Sequence, residues 1–184
     1  MEVQKLELVV GDIKGNREIA YALLVAEQPY FVNQNVIEEE GKLTIESLLT
    51  DEYYSWDKLI TMIDEEKLRH LINIGQLFHA LQDSIYTYNL TPNNLVFSRN
   101  GNPLFVFRGV KGQVPPYDVV SLDEFTVNFK AMIVSLLDKK TSYEKLIEGQ
   151  SPFYKGKLFC ETIMKAENLD EIISLLEEKY LEER

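Results

Sequence analysis

Between Thr87 and Val96 the chain reads Thr-Tyr-Asn-Leu-Thr-Pro-Asn-Asn-Leu-Val, and a short segment downstream ends Phe107-Arg108-Gly109. Among the polar groups of this loop, the carboxamides Asn89 and Asn94 could meet a substrate or a cation. A carboxamide can bond backbone groups or lend its one carbonyl oxygen to a metal. It is a poor proton acceptor, so Asn89 is unsuited to general-base work. The Phe107 ring offers nothing to a hard cation, which requires oxygen. Asn94 is a candidate metal ligand, although asparagine in loops more often serves turns and backbone hydrogen bonds. Asp118 and Asp123 are the first carboxylates to follow.

The order of these residues resembles the catalytic loop of protein kinases, which reads H-R-D-L-K-P-x-N-L-L and is followed, after a strand–turn–strand, by D-F-G. Leu90, Pro92, Asn94, Leu95 and Gly109 fit that frame without a gap. The proton-accepting Asp falls on Asn89, the magnesium-holding Asp on Phe107, and the central Phe on Arg108. Phosphoryl transfer is mostly positioning and electrostatic stabilisation by metal and carboxylate, and both carboxylates are gone. Other parts are missing too. Gly11 and Gly15 have the wrong separation for a phosphate-cradling G-x-G-x-x-G loop. Leu24-Val25-Ala26-Glu27 has an acid where V-A-I-K has its Lys, and lies in an expected helix. The stretch from Gly109 to Asp118 is too short for an activation segment. Asp118-Val119-Val120-Ser121-Leu122 partly resembles the D-V-W-S-x-G of kinases, which leaves Asp118 as either a brace beneath the loop or an exposed loop acid. An atypical phosphotransferase would have to use Asp118 or Asp123 folded back toward the loop.

The elements that must position this loop follow from periodicity. The chain has 184 residues, 45% of them hydrophobic, enough for a sizeable core. Val3 to Val10 alternates as a strand. Asn16 is placed to cap a helix through Ala26, with Ile19, Leu23 and Ala26 as its expected stripe. Tyr30 to Ile37 and Lys42 to Leu48 read as strands around Glu39-Glu40-Gly41. After a short helix over 56–63, Asp64 is expected to cap a long helix from Glu65 to Tyr86, with Leu68, Leu71, Ile72, Phe78 and Ile85 on one stripe and Gly75 allowing close packing. Asn100-Gly101 marks a tight turn between Leu95–Ser98 and Leu104–Phe107. Ser121 and Glu124 form a capping box before a helix with Phe125, Phe129, Met132, Ile133, Leu136 and Leu137 on one face. Ser142 to Glu148 and Lys157 to Lys165 read as helices, and Pro152 to Gly156 as a loop. Asn168 and Glu171 cap the last helix, striped by Leu169, Ile172, Ile173, Leu176 and Tyr180.

Net charge is −11, which opposes binding to nucleic acid or to anionic membrane surfaces. The single cysteine, Cys160, rules out an internal disulfide and reads as a buried structural residue. No apolar run reaches the roughly 18–20 residues of a membrane span, and the first residues lack the layout of a signal peptide. His70 and His79 lie nine positions apart, on opposite faces of a helix turning about 100° per residue. They cannot share a metal.

More specifically, Glu66-Lys67-Leu68-Arg69-His70-Leu71-Ile72-Asn73-Ile74, Leu90-Thr91-Pro92-Asn93-Asn94-Leu95, Phe107-Arg108-Gly109-Val110, Phe129-Lys130-Ala131-Met132-Ile133, Leu146-Ile147-Glu148-Gly149 and Lys155-Gly156, in that order, resemble the cytoplasmic domain of the EssB/YukC family. This family supplies a membrane component of type VII secretion in Gram-positive bacteria. The resemblance covers nearly the whole chain. It implies an α+β, protein-kinase-like two-lobed fold, with a reduced N-lobe of a few strands and one helix over 1–50 and a mainly helical C-lobe over 51–184. It implies a pseudokinase without catalysis, cofactor or metal, in which Asn89, Asn94, Phe107, Arg108 and Gly109 occupy degenerate kinase-motif positions. It implies a docking scaffold for other secretion components, among them the secretion ATPase and a small ubiquitin-like component, serving export of small helical effectors. Dimerisation is expected in the full-length protein, with a transmembrane helix and an extracytoplasmic part beyond Arg184. The domain itself is expected on the cytoplasmic face of the membrane, with no nucleic-acid partner and no need for membrane contact of its own. The alternative use of the same fold is an acidic cytosolic adaptor unrelated to secretion.

Overall fold

A computed structural model describes residues 2–138, 141–149 and 158–184. The expected loop over 152–156 and the Lys155-Gly156 pair lie outside the described residues. Contacts gather the α+β chain into two compact units, one of residues 1–54, 81–89 and 94–120, the other of residues 55–80, 90–93 and 121–184.

The first unit opens with a three-stranded antiparallel sheet of β1 (Glu2–Val9), β2 (Gln34–Glu39) and β3 (Lys42–Leu49), with β3 in the middle. Leu43, Ile45, Ser47 and Leu49 alternate inward along β3 and are buried, as period-two patterning requires. Glu39 pairs with Lys42, so the hairpin closes on Glu40 and Gly41, whose φ values of 49° and 78° are the left-handed pair of a tight hairpin turn. The strand β2 begins later than the alternation suggests. Tyr30 takes φ 71°, and Phe31 and Val32 turn away to Phe105, through Phe105 N–H to Tyr30 O at 2.8 Å and Val32 N–H to Phe105 O at 3.0 Å.

Between β1 and β2 lies α1 (Arg17–Val25), capped by the Asn16 side chain, which accepts from the Ile19 amide. Its buried residues are Ala20 and Leu24, while Ile19 is 55% exposed. The expected stripe was one residue out of phase. In a helix of nine residues both phases are apolar, and tertiary packing selects between them.

After the two-residue β4 (Tyr54–Ser55), the unit resumes with β5 (Tyr86–Thr87), β6 (Leu95–Phe97), β7 (Pro103–Phe105) and β8 (Gly109–Val110). Strands β6 and β7 form the expected hairpin around Gly101, φ 84°. Strand β5 pairs with β8, Tyr86 opposite Val110 and Thr87 opposite Gly109.

The second unit is helical: α2 (Trp56–Ile60), α3 (Asp64–Gly75), α4 (Leu77–Ala80), α5 (Leu122–Asp138), α6 (Tyr143–Ile147), α7 (Leu158–Lys165) and α8 (Leu169–Glu183). The six apolar positions named for α5 are all buried, and α3 packs against α5 and α8. Gly75 makes this contact close: a Cβ there would meet Phe129 at 3.0 Å and Ile173 at 3.1 Å. The long helix expected from Glu65 to Tyr86 does not form. It ends at Gly75, a short turn of helix follows, and the Ser84 hydroxyl accepts the Tyr86 amide at 3.1 Å as the chain enters β5. Ile85, assigned to the helical stripe, is 48% exposed. Asp64 stands in the first turn of α3 rather than capping it. On α8 the Asn168 side chain accepts the Glu171 amide at 2.9 Å, while Glu171 reaches back to the Glu167 amide at 2.7 Å.

Candidate functional site

The loop and hairpin end that carry the suggestive motif are held by backbone bonds to one side chain. Asn94 donates from Nδ2 to Asn89 O at 2.9 Å and to Phe107 O at 3.2 Å, and its Oδ1 accepts from Phe107 N–H at 2.9 Å. The carboxamide thus clasps both ends of the segment. Its oxygen and its amino group are both engaged with backbone. Asn89 contributes its carbonyl to the clasp and is exposed.

Phe107 is partly buried and packs on an apolar cluster of Val32, Leu49, Val96 and Val106. The ring therefore fills space in that cluster and offers no ligand atom.

Arg108 points the other way, into the interior, and is 2% exposed. Its Nη2 donates to the carbonyls of Leu23, Leu24 and Ala26 at 3.1, 2.8 and 2.5 Å. These are carbonyls of the last turn of α1, which has no further amides to satisfy them. A cation here also complements the negative end of the helix dipole. The guanidinium carbon lies 4.4 Å from the Tyr86 ring centroid and 5.3 Å from that of Phe31, within cation–π range. Tyr86 OH donates to Leu23 O at 2.7 Å, joining the same cap. Burial depresses the Arg108 pKa and Tyr86 opposes that shift, but guanidinium stays a cation at neutral pH. Nε and Nη1 find no partner among the described residues. Sequence reasoning assigned Arg108 no contact. The available signal was a lone arginine inside the apolar run Leu104 to Val110.

Gly109 is required by space. A Cβ there would stand 2.5 Å from Thr87 Oγ1, Val114 O and Pro115 O. The Thr87 hydroxyl in turn donates to Pro116 O.

Asp118 is exposed on its loop, as the surface-acid alternative has it. Asp123 is exposed in the first turn of α5. His70 is buried, with Nδ1–H donating to Glu66 O at 2.7 Å. His79 lies at the surface, 3.4 Å from Asp170. Cys160 is buried. Among the described residues no cluster of three or more His, Cys, Asp or Glu could hold a metal, and no helix is long and apolar enough to cross a membrane. The arrangement of Asn89, Asn94, Phe107, Arg108 and Gly109 is a packed, hydrogen-bonded joint.

The family described as WXG100 protein secretion system (Wss), protein YukC matches residues 9–184. The type VII secretion system protein EssB of Staphylococcus aureus, strains USA300 and Newman among others, is 31% identical over 174 residues, which is 95% of this chain and 39% of that protein. The chain thus spans about two-fifths of the length of the curated relatives it matches. The crystal structure of a Staphylococcus aureus EssB cytoplasmic fragment superposes with TM-score 0.86 at 30% identity, covering 96% of this chain and 99% of that one. The Geobacillus thermodenitrificans EssB cytoplasmic fragment gives TM-score 0.83 at 16% identity over 97% of this chain and 84% of that one, a likeness of fold.

Proposed function

Starting from the fact that the chain belongs to the YukC/EssB family of type VII secretion components, we propose that it is a non-catalytic, pseudokinase-like docking domain on the cytoplasmic side of the secretion machinery. In this reading residues 1–50 are a reduced N-lobe and 51–184 a helical C-lobe. Asn89, Asn94, Phe107, Arg108 and Gly109 stand at degenerate kinase-motif positions. The partners are other components of the machinery, a secretion ATPase and a small ubiquitin-like protein among them, and the whole protein is a dimer.

The observation that carries the reading is the use made of Asn94 and Phe107. The carboxamide is committed to three backbone bonds and the phenyl ring to an apolar cluster. Neither position carries a carboxylate that could accept a proton from a substrate, and Phe107 offers no oxygen to magnesium. The degenerate positions are thereby explained as structure, and surfaces are left to do the work.

Thermal unfolding with and without millimolar ATP and magnesium tests the absence of nucleotide chemistry. A ligand at 100 times its Kd would add about 2.7 kcal/mol, and no rise in Tm is expected. A magnesium-dependent rise would overturn the non-catalytic reading. Affinity capture on the domain tests docking: the other secretion components should be retained from cells that express the machinery, and their absence would remove the docking role.

A further inference from the structure

Four helices of the second unit wall a cavity of about 290 Å3. The start of α3, the end of α5, the start of α7 and the end of α8 meet there. Leu68, Leu137 and Phe159 make its interior apolar. The partly exposed side chains of Asp64, Lys179 and Glu183 stand at its mouth. A cavity of about 150 Å3 lined by Leu, Ile and Phe admits benzene, so this one admits a large aliphatic or aromatic side chain.

The mouth has a sign. Its ammonium is committed: Lys179 Nζ lies 3.4 Å from Glu182 and 3.6 Å from Glu183, and 5.8 Å from the centre of the Phe159 ring. Lys67 approaches Asp64 at 4.0 Å with its own side chain buried, so it offsets charge without presenting a cation at the surface. Asp64, Glu182 and Glu183 are left to face solvent, on a chain of net charge −11. A ligand with an anionic head meets repulsion here, and one with cationic groups beside an apolar part is complementary.

The apolar character continues outside the cavity. Among the described residues the two most exposed large apolar side chains are Leu158, at 75%, and Ile63, at 67%. Leu158 belongs to the cavity wall and Ile63 is the residue before Asp64. Exposed apolar surface rimmed by charge marks an interaction site. A small molecule lodged in the cavity would leave both side chains in water, whereas a peptide segment laid across the mouth covers them.

We infer that this cavity is the socket for a basic, amphipathic segment of a partner protein. One apolar side chain of the segment enters between Leu68, Leu137 and Phe159. Leu158 and Ile63 cover its apolar neighbours, and flanking Lys or Arg side chains pair with Asp64 and Glu183. The inference rests on the docking role proposed above and gives that role a surface and a partner chemistry.

The probe is a fluorescein-labelled synthetic helix built only of leucine and lysine, titrated by anisotropy against the 184-residue chain. Two companions separate the contributions: serine in place of leucine at the same charge, and glutamate in place of lysine with the same apolar face. Both should bind at least tenfold more weakly. Leu158→Arg adds a like charge at the mouth on an exposed side chain, and should weaken the leucine–lysine helix about tenfold or more. Val127→Arg makes the same change of charge on an exposed position of α5, ten residues before Leu137 and so roughly 15 Å along the helix. It should stay within about twofold of the parent. The double variant Asp64→Asn/Glu183→Gln should lose about three- to tenfold, as expected of two exposed ion pairs. Circular dichroism of each variant separates loss of binding from loss of fold. Equal binding of the serine–lysine peptide, or equal loss in L158R and V127R, would reduce the effect to long-range charge and overturn the socket. Absence of saturable binding overturns it too. Affinity capture with L158R distinguishes this inference from the docking role. Secretion components retained by L158R as by the parent would keep docking and reject this surface. Peptide binding that L158R abolishes, with no component captured by the parent, would keep the socket and reject docking to the secretion machinery.

Discussion

Nη2 of Arg108 donates to the carbonyl of Ala26 at 2.5 Å, and so ties the end of α1 to a residue more than eighty positions further along the chain. Two more carbonyls of that helix end share the same nitrogen. Local capping of α1 is thereby replaced by a long-range contact, and the helix end depends on the strand β8 region for its hydrogen bonds.

Removing that cation should destabilise the first unit strongly. Arg108→Ala leaves three carbonyls without their donor and opens a cavity beside Phe31 and Tyr86. We expect a loss of about 3–5 kcal/mol. Arg108→Met keeps the packing volume and avoids burying the unpartnered Nε and Nη1, so its loss should be smaller. Urea unfolding of the two variants measures the difference. Equal loss in both would mean that the hydrogen bonds, not the packing, dominate.

Asn94 and Asn89 should respond unequally to the same change. Asn94→Asp keeps size but replaces two donated bonds by carboxylate–carbonyl repulsion, at about 2–4 kcal/mol. Asn89→Asp puts a charge on an exposed side chain that the clasp does not use, and should stay within about 0.5 kcal/mol. Chemical denaturation midpoints distinguish them. If N94D matched the parent, the Asn94 clasp would be unimportant to the fold.

Two glycines allow a contrast in kind. Gly109→Ala drives a Cβ to 2.5 Å from two backbone oxygens and the Thr87 hydroxyl. Backbone cannot yield as a side chain does, so this variant should fail to accumulate as folded protein. Gly75→Ala meets the Phe129 ring and an Ile173 methylene at 3.0–3.1 Å, which small shifts can relieve. Overpacking of about 1–3 kcal/mol is there partly offset by about 1 kcal/mol of helix propensity. Soluble yield and Tm of the pair report the order.

The pH dependence should carry the mark of His70. Burial lowers its pKa, outweighing the bond to Glu66 O. The unfolded chain therefore binds the proton more readily, and stability must fall as pH drops below the ordinary histidine value of about 6.5. It should be flat above that. Glu66, held below its usual value by the Arg69 hydrogen bond, adds a further loss only at lower pH, near and below the ordinary carboxylate range. His70→Asn should remove the upper part of the slope in urea titrations at several pH values, and an unchanged slope would assign it to other groups.

The parts of this fold legible in the sequence are those written locally. The caps at Asn16, Ser121 and Asn168, the turns at Glu40-Gly41 and Asn100-Gly101, and the α5 and α8 stripes depend on neighbours within a few positions. The Asn94 loop was legible as a backbone-bonding motif for the same reason. What the sequence concealed is decided at long range. The phase of α1 follows from what covers Ala20 and Leu24. The helix expected through Tyr86 is interrupted because Tyr86 and Thr87 are claimed by Gly109 and Val110, some twenty residues ahead. The task of Arg108 is set by a helix at the other end of the chain. Periodicity holds no record of such partners.

The burial of Cys160 gives the molecule a clock. It carries the chain's one thiol, on α7 in the second unit, at 1% exposure. A thiolate reacts only when reagent can reach it, so alkylation in native buffer reports opening of the structure around Cys160, through the opening equilibrium when reclosing is fast and through the opening rate when reaction outpaces it. The first unit has no sulfhydryl to contribute a signal. The same labelling trace taken on Arg108 or Asn94 variants would therefore tell whether disturbance in one half of the chain is felt in the other, with no engineered reporter residue.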